Sequence, residues 1–258
     1  MRLSAAASSS LRPVLAGSPR PATWLGATPA ALYLQLPGDP GVLALLAHDA
    51  VRLPCALLLP TTRAELPLTS LGPAAGTPLV GDGMLTWTGP AGSVVVRAVR
   101  EWGPTRACPG TVVASALNAL CAGLPPPAAL GVDAELVARL AGDPARAVAR
   151  LLGRGPGLTP AGDDVLAGFL VGARAFGLDA RRMRAVTAAL AAGRTTALSA
   201  ALLGHAARGE CIDEVAAVVA ALTGHGYPEP ALGRLLAVGH TSGAALGVGL
   251  AAAAREAA

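Results

Sequence analysis

Lysine is absent from this chain of 258 residues, because all 20 of its basic residues are arginine. A Schiff-base enzyme, a Walker P-loop protein and a protein kinase each need a lysine, so these three classes are excluded. Charged residues make up only 14% of the chain and aromatic residues 3%, whereas hydrophobic residues reach 53%. The core therefore has to be built from closely packed alanine, leucine and valine.

Cysteine and histidine are also scarce, with four residues of each. The cysteines show no metal-ligand spacing and the histidines form no HxxxH pair, so a structural zinc site is not expected. The formal net charge of +4 is scattered along the chain. Few aromatic side chains are available to stack on bases, so we expect no nucleic-acid binding. The absence of a Gly-x-Ser-x-Gly motif argues against a serine hydrolase.

No apolar run is long enough to span a bilayer, although the mean hydropathy is +0.53. Val165–Ala173 stops at Arg174, and Thr241–Ala254 is rich in alanine and glycine and too short. Residues 1–20 lack the continuous apolar core of a secretion signal. We therefore predict a cytoplasmic oligomer without membrane contact, and a disordered tail at residues 1–20.

Short strand patterns occupy the first half of the chain, and helical patterns occupy the second. Met84–Thr88 and Ser93–Val99 are separated by four residues rich in glycine and proline, which is typical of a hairpin. Beyond Pro104 the apolar period becomes helical. We predict an α+β protein, with a small antiparallel sheet or barrel at residues 21–105 and an all-helical bundle at residues 106–258.

The most informative stretch is Gly-Leu-Thr-Pro-Ala-Gly-Asp-Asp at residues 157–164. Thr159 is a favoured N-cap and Pro160 suits the first helical position, so a helix is predicted to begin here. Asp163 and Asp164 would then lie in the first turn, where they could simply neutralise the helix dipole. The helix that follows is too apolar for a solvated surface, however, and two acids at a buried helix start favour a functional role.

Two later helix starts resemble this one. All three read Gly-x-Thr and open helices rich in alanine and leucine, and they begin at Gly157, Gly193 and Gly239. Coincidental capping is one explanation, because threonine and serine are common caps. Alternatively, the three N-termini converge and bind a phosphate or carboxylate through backbone N–H groups. The predicted substrate-binding residues of such a site are Thr159, Gly162, Arg194, Thr195, Thr196, Ser199, Thr241 and Ser242.

The candidate catalytic residues of this site are Asp163, Asp164 and His240. Arg194 and His240 would add charge-assisted hydrogen bonds to the anion. The two aspartates could hold a divalent cation or an amide N–H of the substrate. Beyond the third helix start the chain has no acid before Glu256, so a metal site would have few ligands.

The stretch at residues 157–164 resembles the bacterial family known as domain of unknown function 2877. The two later segments that share the resemblance occur in the same order, and they are Thr195-Thr196-x-x-Ser199 and Gly239-His240-Thr241-Ser242-Gly243. The likeness extends from about Trp102 to the C-terminus. One branch of the family is similar to the small subunit of oxamate carbamoyltransferase, an enzyme of allantoin breakdown. That enzyme interconverts oxalurate plus phosphate with oxamate plus carbamoyl phosphate.

The resemblance implies a carbamoyltransferase subunit that binds a small anionic substrate and assembles with itself or with larger subunits. Two positions depart from the family pattern. Ala161 stands where many relatives have serine, and Ala244-Ala245 stands where an acid is expected after the third helix start. Because the second change could remove a ligand, two alternatives stay open: a non-catalytic assembly partner and a small-molecule anion sensor.

Overall fold

The chain folds into two compact units, Met1–Pro104 and Thr105–Ala258. The computed structural model describes four stretches, which are residues 1–39, 41–72, 75–191 and 193–258. Strands fill the first unit and helices fill the second, so the protein is α+β, as the sequence predicts. The division between the units falls one residue before the predicted domain boundary at 105/106.

The first unit contains a nearly closed sheet of nine strands. In chain order these are β1 (Arg2–Ser8), β2 (Arg20–Pro21), β3 (Thr23–Thr28), β4 (Ala31–Gln35), β5 (Val42–Leu46), β6 (Ala56–Leu58), β7 (Ala75–Gly81), β8 (Met84–Gly89) and β9 (Gly92–Trp102). Their order across the sheet is β2-β7-β8-β9-β1-β6-β5-β4-β3. The predicted hairpin is confirmed, because β8 and β9 pair antiparallel down to Gly89 and Gly92.

The sheet is mixed, so the prediction of an antiparallel sheet is only partly right. β1 runs parallel to β9, and β5 runs parallel to β6, whereas the other neighbouring strands are antiparallel. Hairpins force antiparallel pairing between consecutive strands, but a parallel pair needs a longer connection. No local turn signal could reveal these two parallel pairs.

The prediction of a disordered tail is wrong, because β1 lies in the middle of the sheet between β9 and β6. A 3₁₀ turn and the short helix α1 (Arg12–Leu15) follow it. Ala5, Ala7 and Leu11 are buried. The strand is mostly alanine and serine, which give little hydrophobic contrast, and its partner β9 is the last strand of the unit in sequence. The sequence pattern of this strand is therefore weak.

The second unit is built from nine helices in the described residues. They are α2 (Ala114–Gly123), α3 (Ala134–Ala138), α4 (Pro144–Leu151), α5 (Ala161–Ala175), α6 (Arg181–Ala191), α7 (Ala197–Ala207), α8 (Asp213–Leu222), α9 (Pro228–Leu236) and α10 (Ser242–Ala257). Within the described residues, no helix combines the length and the apolarity needed to cross a lipid bilayer.

Helix α5 is the centre of the second unit, with every residue buried except Arg174. It packs on α10 with backbone against backbone. A Cβ added at Gly168 would lie 2.1 Å from the Leu246 carbonyl oxygen, and one added at Gly249 would lie 2.1 Å from the Val165 carbonyl oxygen. Only glycine permits this approach, and the close contact holds the starts of the two helices side by side.

Candidate functional site

The starts of α5, α7 and α10 are in direct contact. The Thr159 and Ser242 hydroxyl oxygens lie 3.0 Å apart. The Thr195 hydroxyl donates to the Asp163 carboxylate, and the Thr196 hydroxyl donates to the Leu158 carbonyl. We call these three meeting segments the helix-start cluster, which consists of Thr159, Asp163, Asp164, Thr195, Thr196 and Ser242.

Gly162 lets the start of α5 lie against the end of α4. A Cβ at this position would be 2.0 Å from the Leu151 carbonyl oxygen, which is impossible without moving the backbone. The group that approaches Gly162 closely is therefore the backbone at the end of α4. Whether it also approaches a substrate stays a prediction.

Asp163 ties the start of α5 to the start of α7 and to the loop after α4. Its side chain is 1% exposed. The Gly153 N–H donates to Oδ1 at 2.7 Å, and the Thr195 hydroxyl donates to Oδ2. Each oxygen of the buried carboxylate thus has a donor, so Asp163 fixes the loop after α4 and the start of α7 against α5. The Gly153 contact was not predicted, and the glycine-rich loop before α5 is its sequence signal.

Asp164 is in a different situation, although it is the next residue. It is 6% exposed, and its Oδ2 is buried without a hydrogen-bond partner among the described residues. Burial raises the pKa of the Asp164 carboxyl to about 8, and the nearby negative charge of Asp163 adds to this, while the Ser242 hydroxyl lowers it. Asp164 is therefore mostly protonated at neutral pH.

Three backbone N–H groups in the first turn of α5 are already bonded within the chain. Gly162 donates to the Arg154 carbonyl at 2.9 Å, and Asp163 and Asp164 donate to the Pro160 carbonyl at 2.9 and 3.1 Å. Pro160, rather than Thr159, occupies the N-cap position. The first turn of α5 therefore offers a carboxyl group to a ligand more readily than the N–H donors that an anion site uses.

The other two helix starts differ from each other in their capping. Thr196 is the N-cap of α7, where its hydroxyl accepts the Ser199 N–H at 3.0 Å. Ser199 itself is 2% exposed. Thr241 is the N-cap residue of α10 and makes no side-chain capping bond. Of the three threonines aligned by sequence, Thr159 and Thr195 thus contact other segments instead of capping their own helices.

Arg194 and His240, which were predicted to add charge-assisted hydrogen bonds, lie outside the hydrogen bonds of the helix-start cluster. Arg194 is exposed, and its guanidinium donates to the Ala149 carbonyl at 2.8 Å. His240 is also exposed. Among the ion pairs of the described residues, none involves Asp163 or Asp164. The roles of Arg194 and His240 in binding or catalysis therefore stay predictions.

The twin acids do not form a closed metal site of protein ligands. In the described part of the chain, no group of three or more His, Cys, Asp or Glu side chains lies close enough together to hold a metal. Calcium and magnesium need about six or more oxygen ligands. Both oxygens of Asp163 are engaged by chain donors, which leaves only the Asp164 carboxyl. A divalent cation at Asp163 and Asp164 would need water or substrate oxygens as further ligands, and it stays a prediction.

A second buried acid lies near the end of α7. Glu210 accepts hydrogen bonds from Arg106 at 2.9 Å and Arg208 at 3.3 Å, and its Oε2 lies 2.7 Å from His205 Nδ1. The His205 hydrogen bond, followed by Arg106, holds the pKa of Glu210 at about 2 despite burial. Arg106 and Glu210 also pair their backbones. We call these four residues the paired cluster, because its acid is matched by cations.

The second unit is thus an all-helical body in which a buried acid pair lies where three helices begin. Residues 151–254 match the family described as oxamate carbamoyltransferase subunit AllH. No solved structure matches the chain. The match supports the predicted likeness to a carbamoyltransferase subunit, and the wider name, domain of unknown function 2877, stays a prediction.

Proposed function

We propose that this chain is a subunit of an oxamate carbamoyltransferase-type enzyme and that the helix-start cluster contributes to its substrate site. One observation carries the proposal. The family match at residues 151–254 contains every residue of the helix-start cluster, and those residues contact one another although they come from three helix starts.

The cluster has the groups that carbamoyl transfer needs. A carbamoyl group moves between an amide nitrogen and a phosphate oxygen, so a proton must leave one atom and reach the other. Asp164 holds a proton at neutral pH and gives it up near pH 8, which suits a general acid and base. Asp163 would position the loop after α4. The hydroxyls of Thr159, Thr195 and Ser242 would orient the substrate.

The anionic end of the substrate needs donors that α5 does not supply. We expect it to face the starts of α7 and α10, where Arg194, Thr241 and His240 lie close in sequence to the cluster. The larger subunits that the family name implies would complete the pocket. We expect the complex to work in the cytoplasm.

A non-catalytic assembly role is the second candidate. It is favoured by the internal bonding of the α5 N–H groups, which removes part of the predicted anion site. Under this hypothesis Asp163 and its partners would only stabilise the fold. The same complex could also sense a small anion without chemistry.

The test is a reconstitution with larger carbamoyltransferase subunits. We expect carbamoyl transfer to require the chain. The double variant Asp163→Asn/Asp164→Asn should lower kcat at least about 100-fold, as expected for loss of acid–base catalysis. The matched control is Asp179→Asn, because Asp179 is exposed and pairs with Arg181, and it should keep full activity.

The outcomes separate the candidates. A complex that needs the chain but keeps wild-type kcat with the double variant would establish the assembly role instead. Full activity without the chain, or failure of the chain to bind the larger subunits, would refute the carbamoyltransferase proposal altogether.

A further inference from the structure

The Asp164 carboxyl has one buried oxygen that no group of the described residues satisfies. Asp164 is more than nine-tenths buried, and Oδ2 has no partner among the described residues. A buried polar atom left unpaired destabilises a fold by about 1–3 kcal/mol. The adjacent Asp163 has a donor to each oxygen. Among the described residues Glu214 also has a carboxylate oxygen without a partner, but its side chain is only half-buried, whereas Asp164 is buried. An atom kept in this condition at a helix start points to a ligand that satisfies it.

The surroundings indicate which kind of ligand group this is. The N–H groups of Gly162, Asp163 and Asp164 are bonded to carbonyls of the chain, and the Asp163 carboxylate lies one residue away. Within the described residues no ion pair involves either acid. This neighbourhood is rich in acceptors, so it would repel a phosphate or carboxylate and favour a neutral group that brings N–H donors.

We infer that Asp164 binds the primary amide of the substrate, the carboxamide or carbamoyl NH₂ group, and that it thereby sets the specificity of the site. The inference rests on the proposed function and deepens it. The amide reaches Asp164 beside Thr159 and Ser242, whose hydroxyls are half-buried and lie 3.0 Å apart. The anionic end of the same substrate points away from the twin acids.

Oxamate and oxalate form a matched pair of probes, because they differ only in an amide that replaces a carboxylate. Their binding is measured by calorimetry on the reconstituted complex, and KM for oxamate is measured alongside. We expect wild type to bind oxamate at least about 10-fold more tightly than oxalate, as one buried hydrogen bond provides. Asp164→Leu should abolish this preference and raise KM for oxamate about 10-fold or more.

Asp164→Asn is the informative second variant. Its side-chain amide can still accept an N–H from oxamate, so KM for oxamate should stay within about threefold of wild type while kcat falls. Removing a buried unpaired carboxyl should not prevent folding. A thermal melt of each variant confirms this before binding is measured.

Two results would overturn the inference. One is equal binding of oxamate and oxalate by wild type, or no binding of either. The other is an unchanged oxamate preference and KM in Asp164→Leu. In both cases the proposed function survives if carbamoyl transfer still requires the chain, and it falls if the complex works without it, so the two failures are distinguishable.

Discussion

The helical unit buries acids in two places, and it treats them in opposite ways. In the paired cluster, Glu210 contacts two arginines and one histidine, which hold its pKa at about 2. In the helix-start cluster, burial raises the pKa of Asp164 to about 8, and no cation pairs with it in the described residues. Both acids are less than one-tenth exposed, so the difference comes from their partners.

The contrast separates a structural acid from a candidate functional one. A buried carboxylate matched by cations joins two parts of a fold, as Glu210 joins the start of the second unit to the segment after α7. A buried carboxyl with one oxygen left unpaired, as Oδ2 of Asp164 is, lowers stability and is kept where function needs it. The predictions below test whether the two clusters differ in this way.

The largest effect is expected for Asp164→Asn. The folded-state pKa is raised from 3.8 to about 8, so wild type loses stability as the pH rises from about 4 to about 8. The variant does not titrate there. By pH 8 it should exceed wild type in free energy of unfolding by on the order of 5 kcal/mol, with little difference near pH 4. Urea unfolding across this range measures the difference.

The control for this profile is Asp179→Asn. The pKa of Asp179 is lowered to about 2 by its hydrogen bonds with Arg181, so this acid is ionised over most of the same range. Its variant should reproduce the wild-type slope. A wild-type slope in Asp164→Asn as well would show that Asp164 is not the buried protonated acid described here.

A smaller loss of stability is expected when the paired cluster is broken by Glu210→Gln. The folded-state pKa of Glu210 is lowered from 4.5 to about 2, so its contribution is present above about pH 4.5 and is lost as the pH falls towards 2. At neutral pH the variant should lose about 3 kcal/mol. Chemical denaturation at pH 7 and at about pH 3 measures the loss and its decline.

Glu135→Gln is the matched control for the paired cluster. Glu135 forms an exposed pair with Arg139 one helical turn away. Such surface pairs contribute about 0.5 kcal/mol or less. Equal effects of the two glutamine variants would mean that Glu210 is no more important than a surface acid.

The smallest effect is expected for Thr195→Val, which removes one of the two donors to Asp163. Loss of a hydrogen bond to a buried carboxylate should lower the free energy of unfolding by about 2 kcal/mol. Thr241→Val has the same change in shape at a position without a capping bond, and it should stay within about 0.5 kcal/mol of wild type. Thermal melts of both variants check the difference. A reversed ranking would refute the assignment of Thr195 as the link between α5 and α7.

The general organisation of the fold follows from sequence patterns. The change from strand to helical periodicity near Pro104 predicts the two units, and glycine and proline between Met84–Gly89 and Gly92–Trp102 predict the hairpin. The parallel pairing of β1 with β9 could not be predicted. It joins the two ends of the first unit, and alanine and serine leave its strand pattern without contrast.

The sequence marked the three helix starts that meet, but not the bonds between them. The repeated Gly-x-Thr pattern marks three helix starts that are in contact in the structure. It does not reveal that Thr159 pairs with Ser242 while Thr195 pairs with Asp163. Nor does it reveal that the Pro160 and Arg154 carbonyls accept hydrogen bonds from N–H groups in the first turn of α5.

By itself the sequence determined that a helix begins within residues 157–164, that this helix is buried and that two acids lie in its first turn. These features depend on local composition and spacing. Only the tertiary structure decided that Asp163 is satisfied and Asp164 is not. The two residues have the same side chain and adjacent positions. Their difference arises from Gly153 and Thr195, which approach one carboxyl and leave the other without a second partner.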